Sequence, residues 1–292
     1  MEIVWTLLIC VAIGLTAGVV GGIAGIGGSI IMLPALVLIF GRGPGDPSHH
    51  VYQGAAMIVN AVVAYATARN HFGTGRIRRP LFAKLWPSMA IVAVTTVWFS
   101  RAVPGFWPRL GLAAFIIGFC VYNVVAAIRK SEDPSDDAET TSTGLLVGIG
   151  ALCGAAAGFL AIGGGILMVP LLQLTGRVQL KRAIATSAAV MSITAPIAAA
   201  MKMGTLVVEG EDWSTALLLA AGMAAGGMFG AKLGVLIMTK LSLPNLRLAI
   251  SAILAVVAAR MAWQEIGGRR DAPSPSPTPP AQVQPAPAAS PG

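Results

Sequence analysis

None of the chain's twelve carboxylate side chains falls inside its long apolar runs. Those runs cover about 3–40, 51–68, 81–99, 106–128, 145–175, 183–201, 213–238 and 243–263. Glu2, Asp46, Glu132, Asp133, Asp136, Asp137, Glu139, Glu209, Glu211, Asp212, Glu265 and Asp271 all lie between them or at the ends. Only 11% of the residues are charged and 55% are hydrophobic, whereas a soluble domain carries roughly 25% charge. No water-facing surface can be assembled from so few charges, so the chain is read as an integral membrane protein, and soluble enzymes and free-standing binding modules are excluded. A carboxylate at mid-membrane costs roughly 2.5–3.5 kcal/mol and is retained there chiefly for a proton relay or a cation site. The acid-free runs therefore favour a neutral or anionic cargo, although an inert bundle would lack carboxylates as well.

The formal net charge of +8 does not point to nucleic acid, because Lys and Arg accumulate in the cytoplasmic loops of membrane proteins. No nucleic-acid partner is expected; the lipid bilayer is. Cys10, Cys120 and Cys153 sit in apolar runs without CxxC spacing, which gives neither a disulfide framework nor a zinc site, and they read as small packing residues. The first run has no basic segment before it and no small-residue cleavage pattern after it, so it reads as a retained segment. GIAGIGGS lacks the Lys-Ser/Thr of a phosphate-binding loop. The three histidines, His49, His50 and His71, fall in loops, with His71 read as solvated in the basic stretch 69–79. No catalytic triad or metalloprotease helix can be built from them, and no enzyme activity, cofactor or metal is expected.

The chain repeats itself. Residues 14–36 (GLTAGVVGGIAGIGGSIIMLPAL) align without gaps on 150–172 (GALCGAAAGFLAIGGGILMVPLL). The identities are Gly14/Gly150, Gly18/Gly154, Gly22/Gly158, Ile26/Ile162, Gly27/Gly163, Gly28/Gly164, Ile30/Ile166, Met32/Met168, Pro34/Pro170 and Leu36/Leu172. Small-xxx-small spacing alone is a helix-packing device, but packing does not require the double glycine and the proline to recur. Beyond the proline, Gln53 to Asn60 fall opposite Ala185 to Ser192, and Arg109-Leu110 opposite Arg247-Leu248, so the duplication spans the chain.

The first run of each half has an awkward length. At 1.5 Å per residue, 3–40 would make a helix of about 57 Å, against a bilayer core of about 30 Å. Gly25, Gly27 and Gly28, followed by Pro34, break it near its middle. The expected result is a hairpin of two short helices with the glycines at its tip, and likewise over 145–175. A hairpin returns to its starting side, which leaves each half an odd number of net crossings and inserts the halves with opposite orientation. Counting Lys and Arg places twelve inside and seven outside for this topology with the N-terminus outside, and eleven against eight for parallel repeats. Charge barely separates the two, so the inverted reading rests on the hairpins. The expected fold is an all-α integral membrane protein of two inverted repeats, each a short broken-helix hairpin plus three transmembrane helices. Its units are a first membrane repeat, 1–128; a charged linker, 129–143; a second repeat, 144–263; and a disordered Pro-rich tail, 264–292.

The repeated glycine motif serves packing in a plain structural reading. In a functional reading, Gly27-Gly28-Ser29 and Gly163-Gly164-Gly165 open the second short helix of each hairpin at mid-membrane. There, backbone N–H groups and the positive helix end can hold an anion without a cationic side chain. Asn60 and Ser192 occupy equivalent positions that can face the tips. Lys232 lies deep enough to meet an anion or to snorkel. The glycine face of Gly222, Gly226 and Gly230 suits packing within the protomer or between protomers of a homo-oligomer.

The doubled signature with the polar segment after it resembles the TauE/SafE family of sulfite and organosulfonate exporters over about residues 3–263. That resemblance implies inverted repeats, hairpins that meet near the midplane, and export of small sulfur-containing anions. Family members commonly open the next helix with a Thr-Ser pair. Thr186-Ser187 match it, while the first half has Gly54-Ala55, losing two hydroxyls for which Gln53 or Asn60 can compensate. The candidate substrate-binding residues are thus Gly27, Gly28, Ser29, Gln53, Asn60, Gly163, Gly164, Gly165, Thr186 and Ser187. The expected function is a secondary carrier exporting a sulfite or sulfonate anion across a bacterial inner membrane. Uptake of a similar anion and a non-transporting membrane scaffold are the alternatives.

Overall fold

The computed structural model describes residues 2–40, 49–99, 106–129, 133–134, 139, 142–160 and 164–270. Their secondary structure is helical: α1 Glu2–Ala24, α2 Ser29–Phe40, α3 His49–His71, α4 Arg79–Phe99, α5 Phe106–Ile128, α6 Thr143–Leu160, α7 Gly165–Leu174, α8 Leu180–Val208, α9 Trp213–Lys240 and α10 Leu243–Arg270. Among the described residues four helices are long and apolar enough to cross a bilayer, Val4–Ala24, His50–His71, Leu180–Val208 and Trp213–Lys240. Apolar side chains also point outward. On α9, Leu217, Leu218, Phe229, Leu233 and Leu236 are exposed, as lipid contact requires, and Lys232 lies on the same outer surface.

The helix breaks fall at the repeated glycines, but the arms are unequal. α1 has 23 residues and α2 12, while α6 has 18 and α7 10. The first arm stays helical through Gly14, Gly18 and Gly22 because those glycines are used for packing: a β-carbon at Gly14 would strike the Met223 carbonyl, and one at Gly22 would lie 2.6 Å from the Ala231 oxygen. The turn itself comes where Gly25 and Gly27 take φ of +66° and +78°, a region costly for residues with a β-carbon. Pro34 and Pro170 lie inside the short helices, not at the breaks. Each hairpin folds back on itself: Gly28 lies over Ala17, and Met32 and Leu36 share a buried cluster with Ile13 and Cys10. In the second half Gly164 lies against Cys153, and Met168 and Leu172 join Ile149 and Leu146.

Glycine also sets which helices touch. α1 and α9 run in the same direction, with Gly14 against Met223, Gly18 against Gly227 and Gly22 against Gly234. Gly222, Gly226 and Gly230 answer from α9 against Cys10, Val11 and Leu15, so this face is spent within the protomer. α6 and α4 pair the same way, Gly150 against Leu85, Gly154 against Met89 and Gly158 against Thr96. Each half's first helix therefore packs on the fourth helix of the other half. Close backbone approach replaces the large side-chain interdigitation of a soluble core, since apolar area yields no burial gain against lipid and dispersion must hold the pair.

The linker is tied to the bundle. Asp133 accepts hydrogen bonds from the Leu180 N–H at 3.0 Å and from Arg247 Nη2 at 2.9 Å, and Glu139 accepts from Arg78 Nε at 2.8 Å. Arg247 itself is 1% exposed and also donates to the Ala126 carbonyl at the end of α5.

Candidate functional site

The two hairpin tips meet in the interior. A β-carbon at Gly165 would lie 2.9 Å from Ile26 Cα and 3.0 Å from the Gly25 oxygen. Around them stand the middle of α3, the first turns of α8, and the Met89 and Met191 side chains. The level is set by Asn60, at the centre of α3, whose Oδ1 accepts the Gly28 N–H at 3.0 Å. Gly27 passes so close to that amide that a β-carbon there would overlap it. From the other half Ser187 donates its hydroxyl proton to the Gly25 carbonyl at 2.9 Å. One tip is thus held by a side chain from each half, and both side chains are buried.

The second tip is built differently. Gly164 caps α7 without any side-chain hydrogen bond, and Gly165, Ile166 and Leu167 behind it are buried. Ser192, at the position equivalent to Asn60, bonds the Ala189 carbonyl of its own helix at 2.7 Å. Among the described residues the start of α7 therefore presents a buried positive helix end with no side-chain hydrogen bond, bordered by the Met89 and Met191 thioethers, an arrangement that suits a small anion. At the first tip the Gly28 N–H is already engaged by Asn60.

Of the expected site residues, the structure gathers Gly27, Gly28, Ser29, Asn60, Gly164, Gly165 and Ser187. Gly163 lies outside the described residues. Thr186 is placed elsewhere: its Oγ1 accepts the Arg78 N–H at 3.3 Å, so it secures the α3–α4 loop. Gly54, its counterpart, faces Leu206 and Ala216 near the α8–α9 turn. Gln53 is half-buried two turns before Asn60. Sequence reasoning missed Met89 and Met191, which fill the space beside Gly164 and Gly165; nothing in an apolar run marks which methionine faces inward. His71, expected in solvent, is fully buried. It ends α3, and the loop that follows folds back on it, Thr74 Oγ1 donating to the His71 carbonyl at 2.7 Å.

An apolar groove of about 460 Å³ lies between the outer ends of α6 and α7, lined by Leu145, Ile149, Leu152, Leu171 and Thr175. It lies away from the tips and has no charged side chain in its lining.

Broken helices meeting inside a bundle with a lipid-facing exterior define a multi-pass membrane transporter. The sulfite exporter TauE/SafE family matches residues 10–279, and the chain belongs to that family. A probable membrane transporter protein of Methanocaldococcus jannaschii is 25% identical over 272 residues, covering 89% of this chain and 97% of the relative. One from Haemophilus influenzae is 26% identical over 275 residues, 87% and 97%. The probable membrane transporter protein YunE of Bacillus subtilis is 25% identical over 281 residues, 89% and 98%. No solved structure matches the chain.

Proposed function

We propose that this protein is a secondary carrier that moves a small sulfur-containing anion, a sulfite or an organosulfonate, outward across a bacterial inner membrane by alternating access. The observation that carries the reading is the buried, uncapped start of α7 abutting the glycine tip of the other half. There backbone N–H groups hold the anion's oxygens, Ser187 turns its hydroxyl proton from the Gly25 carbonyl to the cargo, and Asn60 keeps the Gly28 N–H on its Oδ1 while its Nδ2 donates to the cargo. The two halves are inverted repeats. This is supported by α3 running antiparallel to its counterpart α8, with Gly54 near Leu206 at one end and Ala68 near Ala188 at the other. It is also supported by α5 running antiparallel to α10, where Cys120 meets Ser251 and Ala126 meets Arg247. Because first helices pair across halves, the moving bodies cut across the sequence repeat.

Thermal stabilisation of the detergent-purified protein by sulfite, sulfoacetate, taurine, acetate and choline tests the cargo, since a ligand of the folded state raises Tm by mass action. The expected result is a rise with sulfite or the sulfonates and none with choline. Stabilisation by choline, or by none of the anions, would sink the proposal.

A further inference from the structure

A polar stripe runs the length of α3 and continues past the hairpin tips. Gln53, Asn60 and Thr67 are each seven residues apart, which is about 20° short of two full turns, and His71 follows one turn later on the same face. Asn60 is engaged at the tip, but beyond it neither the Thr67 hydroxyl nor either ring nitrogen of His71 has a hydrogen-bond partner among the described residues, although both residues are 0% exposed. Each such group costs about 1–3 kcal/mol when left buried and unmade.

Ordinary helix chemistry does not explain them. Thr16, Thr95, Thr175 and Thr194 all donate to a carbonyl four residues earlier in their own chain, and Asn70 does the same to Ala66. Thr67 makes no such bond to its own helix. The repeat does not require them either, because the equivalent positions on α8 are Ala199 and Met203. Half-buried Arg76, in the loop that closes over this end, is near enough for its charge to be felt at His71 and at Lys181.

Resting on the anion-carrier reading above, we propose that the cargo path follows this stripe and that Thr67 and His71 form a second anion station on the linker side of the tips. There the hydroxyl and one ring N–H donate to the anion, and Arg76 supplies charge from the loop.

The test is Thr67→Cys in the full chain, with Cys10, Cys120 and Cys153 replaced by alanine, in proteoliposomes. It is labelled with an anionic and with a cationic methanethiosulfonate, each rate normalised to that with free thiol. The anionic reagent is expected to react faster by about tenfold or more, sulfoacetate is expected to slow it, and His71→Leu in the same background is expected to bring the ratio toward one. Tyr65→Cys, on the exposed side of α3, should react with neither. An unreactive Thr67→Cys in a protein of unchanged Tm, a faster cationic reagent, or a ratio indifferent to His71→Leu overturns the station. Anion-selective labelling that no sulfonate slows, in a wild type that no sulfonate stabilises, keeps the station and defeats only the sulfonate cargo.

Discussion

Gly27 shows what a single β-carbon decides. Its φ of +78° and the Asn60 amide beside it both exclude a side chain, so Gly27→Ala combines backbone strain with loss of the Gly28 bond. We expect it to abolish anion flux and lower Tm, whereas Asn60→Gln, which keeps the amide one methylene further out, should retain part of both. Ser187→Ala removes one buried bond, worth about 1 kcal/mol, and should weaken cargo stabilisation more than it lowers Tm. A larger loss of Tm than of ligand response would place Ser187 in structure alone. At this scale the sequence was informative where chemistry is rare. Glycines in left-handed turns and an asparagine amid alanine could be read from their types, while Thr186 could not, because a hydroxyl beside a tip residue and one facing a loop look the same until the rotation of the helix is known.

Helices are positioned here by what they lack. Gly18 lies so close to Gly227 that a side chain would meet backbone, with Ala231 N 2.9 Å from the β-carbon position; Gly18→Leu should separate α1 from α9 and abolish a folded monomer in detergent. Gly118→Leu, with open space around it, is the matched control. The start of α9 carries a titratable cap. Hydrogen bonds from Ser214 and Thr215 hold the Asp212 carboxyl down at about 2, from 3.8. A depressed carboxylate stabilises the fold above its unfolded value and loses that contribution as pH falls toward the folded one. Protection of the Thr215 amide, which donates to Asp212 at 3.1 Å, should therefore drop between about pH 4 and 2, and Asp212→Ala should remove this step. Helix existence was legible from run length and composition. The unequal hairpin arms were not, because glycines that break the run at Gly25, Gly27 and Gly28 do not tell how far a helix extends on either side of them, and α1 takes 23 residues where two short arms are expected.

On the scale of the whole molecule, the linker joins the halves by more than its peptide bonds. The Arg247–Asp133 pair is nearly closed to solvent, with side chains 1% and 16% exposed, whereas Arg78–Glu139 is more open at 31% and 11%. Removing one partner of a closely buried pair costs about 3 kcal/mol, and a pair more open to solvent contributes about 1 kcal/mol or less. Asp133→Ala should accordingly lower Tm several times more than Glu139→Ala, and equal shifts would show that the first pair is better hydrated than its geometry indicates. A charged, proline-containing stretch reads from sequence as a loose connector, since composition does not reveal that a buried arginine waits for one of its acids. Deleting residues 271–292 should leave flux intact, and loss of flux would favour a scaffold that works through its tail.

The crossing of first helices onto the opposite half also bears on how the protein is made. α1 leaves the ribosome long before α9, its main partner, exists, and at about 5–20 residues per second the wait is roughly ten to forty seconds. During that time its glycine face has only lipid or the insertion machinery to meet. Two polypeptides divided at the linker should each be degraded when expressed alone and rescue one another when expressed together, because neither carries a complete set of partners for its own first helix.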